Sequence, residues 1–117
     1  MLLLAQLVAP QLLTNADAVY YTTPATATGQ PAITAKISRA VFINTTGGAI
    51  TITVAIVPAG GTVVAGNTVI NAISIPANQT YTSSELAGAV LPSGTTLHAQ
   101  ASANTSIIIM VSGLTYQ

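Results

Sequence analysis

The clearest pattern along the chain is the alternation in Ala49–Val57, AITITVAIV. Ile50, Ile52, Val54 and Ile56 fall on one face, and Thr51, Thr53 and Ala55 on the other. That period of two marks a half-buried strand. Asn44-Thr45-Thr46-Gly47-Gly48 precedes it and Pro58-Ala59-Gly60-Gly61 follows it, both turn-forming clusters. Upstream, Ala32–Asn44 reads as a long strand that joins it in a hairpin through the TTGG turn. There Ile33, Ile37, Val41 and Ile43 share one parity, while Lys36, Ser38 and Ala40 share the other. Arg39 lies on the apolar parity, so the strand needs a bulge or the guanidinium needs a partner.

Further strands are expected over Thr68–Ile75 and Thr95–Ser102, separated by Pro76-Ala77-Asn78 and Pro92-Ser93-Gly94. The last, Thr105–Thr115, sets Ile107, Ile109 and Val111 against Ile108, Met110 and Leu114, which predicts burial on both sides. Val19–Thr23 and Asn78–Thr82 read as short strands, the first leading into a loop over Pro24–Pro31. The one helical signal is Ser83–Gly88, where Ser84 would cap a single turn that Gly88 ends. These elements predict an all-β chain with a single antiparallel β-sandwich of seven or eight strands, jelly-roll or immunoglobulin-like. The sandwich is expected over residues 14–117, preceded by an N-terminal arm over residues 1–13.

That arm, opening MLLLAQLVAP, has the apolar stretch of a signal peptide. It lacks a preceding basic residue and a small-x-small cleavage site, and reads as an ordered arm or an edge strand. Its Leu2, Leu3, Leu4, Leu7 and Val8 are the candidate interface residues, expected to pack on a neighbouring subunit. Deleting residues 1–13 would then abolish assembly and leave the sandwich folded. The longest apolar runs, Met1–Ala5 and Ile107–Val111, fall far short of the roughly 18 residues a spanning helix needs, so no membrane insertion is expected.

Composition sharpens this picture. Of 117 residues only 3% are charged, two basic and two acidic, with no net charge and no cysteine. Lys36 and Arg39 cannot form the basic patch that nucleic acid or an anionic membrane requires. Without cysteine there are no disulfides and no thiolate metal sites. A neutral surface also lacks the self-repulsion that keeps monomers apart. Thr, Ser, Asn and Gln take the polar positions, as in TNADAVYYTTPATATGQ (14–30), and these can be dried at an interface without desolvating an ion. A surface shared with copies of itself or with other proteins follows.

Candidate chemistry is sparse. His98 is the only histidine, and Asp17 and Glu85 the only acids. A nucleophile triad would need His98 beside a hydroxyl and an acid, and a glycosidase would need Asp17 and Glu85 as a pair. Turn chemistry explains Asp17, and a short helix start explains Glu85, at less expense. Tyr20-Tyr21 should point to opposite faces, one ring inward and one toward an interface or solvent. PAGGT (58–62) lacks the Lys-Ser/Thr of a phosphate loop. No catalytic, cofactor-binding or metal-ligating residues are expected, and hence no cofactor.

The order LLTNADAVYYTTPA, AKISRAVFINTTGGAITITVAIVPAGG, NTVINAISIPANQTYTSSELAGAVLPSGTTLHAQASA and IIIMVSGL resembles small virion structural proteins of tailed bacteriophages. The resemblance spans Leu12 to Tyr116 and rests on turn motifs plus alternation. It implies a sandwich built into a capsid, tail or fibre, with no catalytic residues. The expectation is a capsid decoration protein located on the virion. It would bind a symmetric lattice of the major capsid protein and associate with itself. A tail, baseplate or fibre component contacting a host receptor through its loops is the alternative, and a carbohydrate-binding module or hydrolase a third.

Overall fold

The computed structural model of the protein describes residues 2–25, 29 and 31–116. The expected Pro24–Pro31 loop lies in part outside them, as do Met1 and Gln117. Among the described residues nine strands run in the order β1 (Leu2–Leu12), β2 (Ala18–Thr22), β3 (Thr34–Asn44), β4 (Ile50–Val57), β5 (Thr68–Ile75), β6 (Thr80–Thr82), β7 (Val90–Leu91), β8 (Thr96–Ala101) and β9 (Ile107–Tyr116). They form two antiparallel sheets. The first has the order β1-β9-β3-β6, with β7 also paired to β3, and the second has the order β2-β8-β4-β5. First pairs with last throughout: β1 with β9, β2 with β8, β3 with β6 and β7, β4 with β5. Successive pairs fall in alternate sheets, as when one long antiparallel ribbon is rolled up. This is the jelly-roll winding, and it decides between the two sandwich types the sequence left open.

In the second sheet the central strands β4 and β8 follow their alternation. Ile52 and Val54 of β4 face inward opposite Ala101 and Ala99 of β8, and Leu97 completes the row. The first sheet departs from it. Between Ile37 and Arg39 the register of β3 shifts against β9. Before that bulge the inward residues are Ala35 and Ile37; after it they are Ala40, Phe42 and Asn44. Val41 and Ile43, expected on the core face, therefore lie on the outer face of the first sheet, opposite Met110 and Ile108. The extra residue resolves the Arg39 conflict by turning that side chain outward. Gly113 pairs with Ile37 beside the shift, and any β-carbon there would collide with the Lys36 carbonyl oxygen.

Residues 2–13 are not an appendage. Leu2–Leu12 pairs with β9 along its length as an edge strand, and Leu7, Val8 and Leu13 join the core. Leu7 and Val8 are 9% and 1% exposed, so of the five arm residues only Leu2, Leu3 and Leu4 remain on the surface. Deleting this segment removes an edge strand together with the core side chains of Leu7, Val8 and Leu13. The reason is register: shifts between Gln6 and Val8 and between Val8 and Gln11 let both Leu7 and Val8 reach the interior from adjacent positions. The expected helical turn at Ser83–Gly88 is a run of hydrogen-bonded turns instead. Ser83, not Ser84, accepts the Leu86 amide, and Leu86 plugs the core.

One buried side chain ties the two sheets together. Asn44, at the end of β3, donates from its amide to the carbonyls of Gly48, Ile75 and Pro76 and accepts from the Thr46 amide and hydroxyl. It thus clamps the β3–β4 turn to the β5–β6 turn. Among the described residues no buried side-chain nitrogen or oxygen lacks a partner. Asn44→Ala strands several of these carbonyls, and urea unfolding should show a loss of about 2–4 kcal/mol with the fold retained.

Candidate interaction surface

The outer face of the first sheet is built in rows set by the register. At one end Leu2, Tyr116 and Thr34 stand side by side, followed by Leu4, Leu114, Lys36 and Val90. A polar row of Gln6, Ser112 and Arg39 comes next. Beyond the bulge lie Met110 with Val41 and Thr82, then Leu12 with Ile108, Ile43 and Thr80. Two apolar zones therefore flank a polar band. Val41 points outward and is still only 4% exposed, sheltered between Met110 and Thr82, whereas Leu4 is 88% exposed. Leu2, Leu12, Val90 and Tyr116 are exposed as well. A shallow concavity lined by Leu2, Thr34, Lys36, Val90, Leu114 and Tyr116 crosses four strands at the open end.

Both basic residues of the chain lie on this face, exposed. Neither makes an ion pair among the described residues. Uncompensated cations on an apolar sheet face favour a neighbour that carries acceptors or carboxylates. The sequence anticipated this surface only in part. The two-sided hydrophobicity of β9 was visible, but Val41, Ile43, Val90 and Tyr116 could not be placed without the β3 bulge and the β7 pairing.

The second sheet holds the other titratable cluster. His98 on β8 bonds through Nδ1 to Asp17 Oδ2 at 2.8 Å and through Nε2 to Thr96 Oγ1 at 3.0 Å. Asp17 arrives from the β1–β2 loop, which the β2–β8 pairing brings alongside. A neutral imidazole with its proton on Nδ1 satisfies both contacts, donating to Asp17 and accepting from the threonine hydroxyl. Carboxylate, imidazole and hydroxyl thus stand in triad order. They lie on a sheet face, and the nearby concavity is lined by other residues, Asn15, Thr51, Thr53, Ala72, Gln100, Ala101 and Ser102. Asp17 and Glu85 are not paired, since Glu85 bonds to Tyr81 and Ser83. A register shift between Val19 and Tyr21 lets both Tyr20 and Tyr21 pack against the core, where one ring was expected to face an interface or solvent. Burial pushes the Tyr21 hydroxyl above its ordinary value. No group of three or more His, Cys, Asp or Glu that could hold a metal occurs among the described residues.

The chain matches no protein-family model, no curated protein and no solved structure.

Glu85 links the β6–β7 loop to β6. The Tyr81 hydroxyl donates to it at 2.6 Å and the Ser83 hydroxyl at 3.0 Å, and these bonds favour the carboxylate. Tyr81, then its own backbone amide, then Ser83 hold the Glu85 carboxyl below the ordinary range, and the same bond raises Tyr81. A depressed folded value adds stability above the unfolded value of about 4.3 and loses it as pH falls through the folded value. Thermal midpoints measured from pH 6 down to pH 3 should fall more steeply for the native chain than for Glu85→Gln.

Proposed function

We propose that the chain is a structural subunit of a tailed-phage particle. In this reading it decorates the capsid and attaches to neighbouring virion proteins through the outer face of the first sheet. The observation that carries the reading is the pair of exposed apolar rows, Leu2 with Tyr116 and Leu4 with Leu114 and Val90, bordered by unpaired Lys36 and Arg39. Such a surface is costly to leave in water. It is suited to many weak contacts that add up on a repeating lattice. The jelly-roll winding supports it by analogy alone, since that architecture recurs in viral capsid and lectin domains. A place on the tail, baseplate or fibre uses the same face and differs in copy number.

Quantitative mass spectrometry of purified particles of the phage that encodes the chain tests this. Copies in the hundreds per particle are expected for decoration, and small multiples of three or six for a tail position. Val90→Asp combined with Tyr116→Asp should leave the fold intact and empty the particle of the chain. Recovery of the native chain only in the particle-free fraction overturns the reading.

A second reading, a hydrolase, has the Thr96–His98–Asp17 order in its favour. Against it, the hydroxyl sits at the first position of β8, with a second contact to the Val57 carbonyl, and the neighbouring concavity is lined by other residues. A fluorophosphonate probe should leave Thr96 unmodified in intact mass; a covalent adduct lost in His98→Ala would favour the hydrolase.

A further inference from the structure

Among the described residues every sheet edge but one segment carries a device that discourages further pairing. On the second sheet β2 is broken by a register shift between Val19 and Tyr21. The β5 edge is bulged, with Ala72 in the left-handed region at φ 53°. On the first sheet β6 and β7 are three and two residues long. The far half of β1 has two register shifts and Pro10. The near half has none of these. Leu2–Gln6 pairs in unbroken register with Tyr116–Ser112 and contains no charge, proline or glycine. Its outer side borders no strand. A straight, apolar, uncharged edge is a template for strand addition.

We propose that Leu2–Gln6 of one copy adds antiparallel to Leu2–Gln6 of a second, about a two-fold axis through Leu4. The axis follows from parity. An antiparallel two-fold keeps each face of the sheet on the same side, so an outward residue must oppose an outward residue. Only registers that pair some residue with itself satisfy this. Leu4 is the centre of the unbulged stretch, and centring there sets Leu4 opposite its own copy, Leu3 opposite Ala5, and Leu2 opposite Gln6. The most exposed leucine of the chain would then be covered by its equivalent at the roughly 5 Å spacing of cross-strand pairs.

Charge selects a second copy on this edge over one stacked on the sheet face. Lys36 and Arg39 lie on β3, two strands in from the free edge. Edge pairing leaves five strand spacings, about 24 Å, between the cations of the two copies. That exceeds the screening length of about 8 Å. Face-to-face stacking of the first sheets would bring four cations to within about 10 Å with no carboxylate between them. The paired stretch is about 17 Å long. A contact this small sits below the roughly 800 Å² per partner of stable interfaces and makes a weak, concentration-dependent dimer.

The pairing does not rest on the particle reading, which uses the sheet face and is scored by particle content. Sedimentation of the full chain tests it. A dimer is expected at about 0.5 mM, reverting to monomer on dilution to low micromolar, in keeping with its size class. Leu4→Lys and Leu4→Glu each set like charges across the axis and should abolish the dimer, while an equimolar mixture restores it as the mixed species. In the unmodified chain, amide exchange at Leu2–Gln6 should slow as concentration rises, a readout independent of how the variants fold. A monomer at 0.5 mM, a dimer that survives both variants, or variants that fail to combine overturns the proposal.

Discussion

A single extra residue in β3 governs the first sheet. The register shift between Ile37 and Arg39 reverses which parity faces inward for the rest of the strand. It sends Ala40 and Phe42 to the core, puts Arg39 in the outward polar row and leaves Val41 and Ile43 on the outside. The partner strand adapts to it, because Gly113 is the residue that can tolerate the close approach of the Lys36 carbonyl. The β6–β7 loop adapts as well. Ser83 donates its amide to Ala40, and both Gly88 and Ala89 bond to Ile37, so the loop clasps the strand around the shift. Without that shift Arg39 would enter the core, and Phe42 and Asn44 would face outward.

Scarcity of ions shapes how the rest is held. With four formally charged side chains, cohesion comes from aliphatic packing between the sheets and from neutral hydrogen bonds at their ends. Asn44 satisfies both turns on its side of the sandwich, and Thr23 joins β2 to the turn before β8 through Leu91, Thr95 and Gly94. Neutral polar groups suit this task because they are buried at the expense of a hydrogen bond rather than an ion's hydration. The same chemistry leaves no long-range field to orient partners. Recognition therefore falls to shape, apolar rows and sheet edges.

The face and the edge of the first sheet can act together. A neighbour docked on the rows around Leu114 and Val90 and a copy paired along Leu2–Gln6 approach in perpendicular directions. Leu4 belongs to both surfaces, so each contact dries part of the other. An assembly that uses both would gain from the proximity of many such contacts while each alone stays weak.

Strand positions, the turn clusters and the need for a bulge near Arg39 were readable from the sequence, but the expected hairpin was not: β3 and β4 lie in different sheets, and Asn44–Gly48 carries the chain across from one to the other. Alternation and turn chemistry are local properties, and a period of two survives inspection of one strand at a time. The two-sided character of β9 was readable too, and it announced an outer apolar face without saying what else lay on it. Tertiary structure alone decided the jelly-roll winding, the capture of Leu2–Leu12 as an edge strand, and the meeting of Asp17, His98 and Thr96. Each depends on which strands pair across long sequence separations, and hydrogen bonds between backbones are blind to side-chain identity. A bulge adds to that blindness, because one inserted residue inverts every side chain beyond it while leaving the composition of the strand unchanged.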